Sequence, residues 1–326
     1  MDIERRALYT ALRLNWLQDP SLELEPWQVE NYREMSLPLI FSRLKHLGLN
    51  LDKESFAALS DTYDSPEDLV DDLFADEEPD PKKEDQLYLL LFELWRRFEK
   101  DKPSLSIFCE ELDHQIFLYD QGQMKSLEDI QDLLSRLQLI LEENSEEGAD
   151  PESILQMISR GCANDIEGFL QDFISEQIEA ENYSYAQDLL ENFLPYTSDK
   201  KWFELLKLKL ITHTDPLQVP PTLETLVETA LDSNDLEFIF EVLSESVYDG
   251  DKEIFIQLVK HSLSLLKYEE DFKDLISICT EFLRSLDKDV ETEKLETLIE
   301  KRAHIPDHQP FSLSDPMIPP VMDSLK

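Results

Sequence analysis

The side chains best suited to chemistry sit together in the stretch Phe108-Cys109-Glu110-Glu111-Leu112-Asp113-His114-Gln115. A thiol, three carboxylates and an imidazole fall within two helical turns. Glu111 and His114 have the E-x-x-H spacing that places two metal ligands on one helix face, the arrangement of carboxylate-bridged sites in helical bundles. Such sites need a second copy of the motif and further glutamates. The residues three before the other histidines are Arg43, Leu210, Leu258, Lys301 and Ile305, so no second copy exists. Cys109 and His114 are five apart, more than one turn and less than two, so a helix does not set the imidazole against the thiol. The chain holds no GxSxG, GxxxxGK[ST], GxGxxG or HExxH pattern. A metal-dependent hydrolase centred on Glu111 and His114 therefore stands as an alternative reading. A non-enzymatic protein without a cofactor is favoured.

The elements that must position these residues are helical. Six glycines in 326 residues amount to about 2%, against roughly 7% in average proteins. Sheet turns and phosphate-cradling loops draw on glycine for backbone at positive φ, so this scarcity favours an all-α chain. Three widely spaced cysteines, Cys109, Cys162 and Cys279, form no CxxC pair and fit reduced thiols in the cytoplasm. The N-terminal segment reads as an amphipathic helix and not as a secretory signal, because Arg13 interrupts its apolar run and no small-residue cleavage site precedes Asp19-Pro20.

Charge narrows the partner class. The formal net charge is -42, and residues 51–86 carry 14 acids against 3 bases while residues 141–200 carry 15 against 2. A field of this sign repels nucleic-acid phosphate and anionic lipid and attracts basic protein segments. Asp71, Asp72, Asp76, Glu77 and Glu78 in the first concentration, with Glu142, Glu143, Glu146 and Glu147 in the second, are the expected partner-binding carboxylates.

Helix signals run nearly end to end. Ser65-Pro66-Glu67 and Asp150-Pro151-Glu152 each supply an N-cap, a proline at the first helical position and an acid in the first turn. The periodicity predicts helices over 2–18, 26–46, 53–61, 66–75, 85–101, 104–120, 127–144, 151–160, 165–181, 183–195, 199–213, 221–232, 235–248, 251–267, 269–286 and 290–303. Short connections make successive helices antiparallel neighbours. The greasiest window, Leu87 to Phe98, is too short to span a bilayer. Leu87, Leu90, Leu91, Leu94, Trp95 and Phe98 follow helical spacing, and Tyr88, Leu89 and Phe92 add a second apolar face, the pattern of a central core helix. Trp95 beside Arg96 and Arg97 also suits a binding hot spot, should that face be exposed.

Internal similarity appears in the C-terminal half. Residues 183–194, 236–247 and 272–283 align with Tyr183, Leu236 and Phe272 in register, at spacings of 53 and 36 residues. The segments AENYSYAQDLLENFLPY and YEEDFKDLISICTEFLRSL each join a helix end, a turn with an aromatic and an apolar-periodic helix. Over roughly 165–303 the chain thereby resembles the tetratricopeptide-like superhelical class, although that family's tryptophan, leucine, glycine and tyrosine positions are absent. The resemblance implies stacked helix pairs and a concave groove that presents itself to peptides.

The expected protein is thus all-α, built of stacked antiparallel helical hairpins with a tetratricopeptide-like superhelix in its C-terminal half. A helical region (1–78), an acidic proline-containing linker (79–84), a repeat-like body (85–303) and a proline-rich tail (304–326) make up the expected divisions. The prolines of the tail oppose continued helix, and its apolar residues suit an ordered strap or a linear motif. The function expected is a cytoplasmic scaffold, adaptor or chaperone-like protein that engages a basic or helical segment through an acidic surface. It contacts neither nucleic acid nor a membrane span directly and is open to homo-oligomerisation; a structural subunit of a larger assembly is the alternative.

Overall fold

The computed structural model describes residues 4–75, 80–102, 104–249 and 251–326. Among them the backbone forms eighteen α-helices and three short 3-10 turns; there is no strand, and one isolated bridge joins Tyr268 to Pro310. The chain divides into two compact units, Met1–Leu170 with Pro195–Thr197, and Gln171–Leu194 with Ser198–Lys326. Residues 80–84 of the expected linker fall inside the first unit, where Pro81 begins a helix, and residue 79 lies outside the described residues.

The first unit contains α1 (Arg5–Gln18), α2 (Pro26–Val29), α3 (Leu37–His46), α4 (Lys53–Ser60), α5 (Pro66–Phe74), α6 (Pro81–Phe98), α7 (Leu105–Asp120), α8 (Glu128–Glu146) and α9 (Pro151–Arg160). It also holds the start of α10 (Ile166–Glu179). The cap signals act as expected. Ser65 Oγ accepts from the Asp68 amide at the start of α5, and Asp150 accepts from the Ser153 amide at the start of α9. Gly122 ends α7 at φ +61°, where a side chain would be strained.

Residues 26–46 form two helices and a 3-10 turn (Tyr32–Glu34), not the one helix expected. Pro38 explains the break. Inside a continuous helix its ring would strike the preceding turn, whereas in the first turn of α3 its missing N–H costs nothing.

The core of this unit surrounds α6. Every residue from Leu87 to Trp95 is buried, and they pack with Ile40 and Leu44 of α3, Phe56 of α4, and Leu69 and Val70 of α5. Burial on all sides of a helix, at roughly 1.5–3 kcal/mol per large apolar side chain, makes this segment a large contributor to the stability of the unit. Glu93 is buried within it, and Arg96 and Arg97 both donate to its carboxylate.

The second unit contains the rest of α10, α11 (Tyr183–Phe193), α12 (Lys200–Thr214), α13 (Val219–Asp232), α14 (Leu236–Asp249), α15 (Lys252–Leu263), α16 (Glu269–Ser285), α17 (Asp289–Arg302) and α18 (Ile318–Ser324). Each of α11 to α17 packs on its successor. In addition α12 packs on α14, α13 on α15 and α14 on α16, so neighbours one apart and two apart both touch. This arrangement explains the unequal spacing of the sequence similarity. Leu236 in α14 and Phe272 in α16 are two helices apart, whereas Tyr183 in α11 and Leu236 are three apart. The first alignment thus joined the second helix of one pair to the first helix of another.

The proline-rich tail folds onto the last pair. Arg302 is buried and its guanidinium donates to Glu269 (2.6 Å) and Asp315 (3.0 Å), while Phe311 stacks on Phe272 with ring centroids 4.5 Å apart. Contrary to the expectation that the prolines exclude helix, Pro319 and Pro320 sit in the first turn of α18, where amide hydrogens lack helical partners in any case. Val321 and Leu325 then bury into the same core as Phe272.

Candidate functional site

The reactive-looking stretch 108–115 lies on α7, and its acids are already engaged. Glu110 is buried and receives Arg6 Nη2 (3.1 Å) and Arg33 Nη2 (2.6 Å). Burial opposes its charge, but Arg6 and Arg33 prevail and hold its pKa at about 2. Glu111 receives the same Arg33 at 2.7 Å and 3.4 Å. Arg33 is placed from α6, since Arg97 Nη2 donates to the carbonyls of Tyr32 and Arg33. Asp113 is buried and accepts from the Ala163 and Asn164 amides and the Asn164 side chain; burial raises its pKa to about 6.

His114 is half-buried, and burial with nearby Arg33 lowers its pKa. A metal at Glu111 and His114 would have to displace Arg33. Among the described residues no group of three or more His, Cys, Asp or Glu side chains is arranged to hold a metal ion. Cys109 and Cys162 are buried free thiols, and the pKa of Cys162 is raised by a hydrogen bond with Cys109 and by burial.

Trp95 has no surface to offer a partner. It is fully buried, its indole N–H donates to the Lys102 carbonyl (3.2 Å), and Arg96 and Arg97 are occupied within the fold. The hot-spot expectation for Trp95 is therefore corrected: its size and apolar neighbours place it in the core.

The expected partner-binding carboxylates are exposed where they are described. Asp71 and Asp72 stand on the outer face of α5, with Asp72 accepting the Tyr63 hydroxyl, and Glu142, Glu143, Glu146 and Glu147 lie at the end of α8. Asp76, Glu77 and Glu78 lie outside the described residues.

A more structured acidic feature occurs in the second unit. Two ion-pair rungs join α12 to α14: Lys201 to Asp235 (2.9 Å) near their starts and Lys209 to Glu241 (2.8 Å) further along. Equal order along both helices means that α12 and α14 run parallel, as the first helices of successive hairpins do. Asp235 also caps α14 by accepting from the Phe238 amide. Together with α10 these helices enclose a groove of about 370 Å³. Its apolar lining comes from Trp202, Leu205 and Leu206, and Trp202 is fixed edge-on against buried Phe238 at 5.4 Å.

The acids of the groove are Asp172, Glu237 and Glu241, against Lys209 alone. Lys209 is already shared between Glu241 and Glu245. Asp172 and Glu237 are exposed and form no ion pair or side-chain hydrogen bond with the described residues. The groove thus pairs two uncompensated carboxylates with a fixed apolar wall. Sequence reading did not single these residues out, because they come from three helices and none lies in a run of acids. The usable signal is their recurrence on first helices at steps of roughly one hairpin.

No protein-family model matches the chain, and no curated protein or solved structure is detectably similar to it. No helix among the described residues is long and apolar enough to cross a membrane.

Proposed function

We propose that the chain is a non-enzymatic binding module of the scaffold, adaptor or chaperone-like kind. Its second unit, a short tetratricopeptide-like superhelix, holds a basic segment of a partner protein in the groove of α10, α12 and α14. The observation that carries this reading is the pair of uncompensated carboxylates, Asp172 and Glu237, beside the wall of Trp202, Leu205 and Leu206. Lysine and arginine side chains suit such a wall, because their alkyl stems cover apolar surface while the charged heads reach carboxylates. The net charge of -42 adds long-range attraction that speeds encounter with a cationic partner. Exposed Asp71, Asp72, Glu142, Glu143, Glu146 and Glu147 contribute to that field without forming the groove. The free cysteines agree with a reducing compartment such as the cytoplasm.

The test is affinity purification from the source organism with the wild-type chain and with Asp172→Lys/Glu237→Lys. The reading requires a basic partner that is released by raised salt and absent from the variant's eluate. Equal recovery with both chains, or recovery unaffected by salt, contradicts it.

A further inference from the structure

A second cavity, in the first unit, is lined by arginines as well as carboxylates. It measures about 140 Å³ and lies between α1, the Tyr32–Glu34 turn and α7. Three arginines, Arg6, Arg13 and Arg33, reach it in a chain with only 30 basic residues against 72 acidic ones. Among the described residues, three buried side-chain nitrogen or oxygen atoms lack a hydrogen-bond partner: Arg6 Nε, Thr10 Oγ1 and Arg33 Nε. All three belong to residues that line this cavity. Buried polar groups are nearly always satisfied, so three exceptions among the residues of one cavity mark it as a polar place whose protein groups do not complete one another's hydrogen bonds.

The charges divide unevenly. Glu110 lies between Arg6 and Arg33, and Glu111 takes the far side of Arg33. Glu30 is held by Arg43, and Asp113 by the amides of residues 163 and 164. Arg13 is half-buried and makes no hydrogen bond or ion pair with the described residues. Burial and the like charges of Arg6 and Arg33 lower its pKa, while Glu34 and Glu110 offset this only partly. Its guanidinium is therefore the one of the three that no described carboxylate holds by a hydrogen bond or ion pair. Leu14, Phe117 and Leu118 supply an apolar flank.

We propose that this cavity binds a small organic carboxylate, whose single negative charge is received by Arg13 and whose short apolar body rests on Leu14, Phe117 and Leu118. The planar fork of an arginine matches a carboxylate with two parallel N–H donors. Of the three arginines only Arg13 has no carboxylate partner among the described residues, and the carboxylates around it, Glu34 and Glu110 among them, oppose a second negative charge on the ligand and so select a monoanion. This inference is independent of the groove in the second unit.

The test is saturation-transfer NMR and calorimetry on the full chain, with butyrate, benzoate, succinate and inorganic phosphate as separate probes. Butyrate or benzoate should bind, succinate and phosphate at least tenfold more weakly. Arg13→Gln should lose that binding by at least tenfold, while Arg284→Gln, an exposed pair on α16, should keep it. Arg13→Gln should also melt no lower than the wild type, since it removes a half-buried charge without a partner. Should Arg13→Gln fail to fold, Arg13→Lys serves in its place: it keeps the charge but loses the two-donor fork, and should weaken butyrate or benzoate by at least threefold. Absence of binding by every probe, equal binding in the variant, or preference for phosphate or succinate overturns the proposal.

Discussion

Replacing Glu110 by glutamine tests the charge network of α7 most sharply. Glutamine keeps the shape and one acceptor but removes the charge that Arg6 and Arg33 share. The pKa of Glu110 falls from 4.5 to about 2 on folding, although burial alone would raise it. At 1.36 kcal/mol per unit this corresponds to about 3 kcal/mol of stability at neutral pH. The same range is expected when one partner of a buried pair is removed and the remaining charge is left uncompensated. For a unit of this size the melting temperature should fall by roughly 6 to 12 °C. Because the folded pKa is depressed, this stability is fully present above pH 4.5 and disappears as pH falls towards 2. Urea unfolding of both proteins at pH 7 and pH 3 should therefore show the gap shrinking to roughly half at the lower pH. A variant as stable as the wild type at pH 7 would show that desolvation cancels the ion pairs. A gap independent of pH would show that the loss comes from packing and not from charge.

Three further outcomes follow from single contacts. Gly161→Ala would set its Cβ 2.9 Å from Cys109 Sγ and 3.3 Å from the Ile158 carbonyl, so urea melts should show a loss of about 1–3 kcal/mol, reduced when Cys109→Ala is added. Arg302→Ala removes the group that Glu269 and Asp315 share, and should cost about 3–5 kcal/mol and expose residues 304–326 to limited proteolysis before the helices are cut. Trp95→Ala empties the centre of the first unit and should cost about 3–5 kcal/mol by denaturant titration, without changing any binding assigned to the groove.

Local features of the fold were legible and long-range ones were not. The caps at Ser65 and Asp150 and the buried helix around Leu87–Trp95 all follow from neighbours in sequence, and the structure shows each of them. Pro38 and Pro319 were harder, because a proline can break a helix or begin one and only the surrounding packing decides. The acidic runs lie on α5 and at the end of α8, where the described carboxylates are exposed. Asp172 and Glu237 are isolated acids 65 positions apart that meet through the stacking of hairpins. Arg6 and Arg33 reach Glu110 across separations of 104 and 77 residues, which no periodicity in one sequence reveals. Cys109, Glu111 and His114 stand out by type, but Arg33, which pairs with Glu110 and Glu111, is not visible from their spacing.

The most direct test of the groove is fluorescence anisotropy with a labelled lysine-rich peptide of about twelve residues, titrated at 50 and 300 mM salt. Affinity should fall at least tenfold with salt, and Asp172→Lys/Glu237→Lys should lose at least tenfold at low salt, or about 1.4 kcal/mol. Asp71→Lys/Asp72→Lys, with the same change in net charge, should lose far less. Equal losses in the two double variants would mean that the peptide senses only the overall field, and the groove would have no claim to the partner.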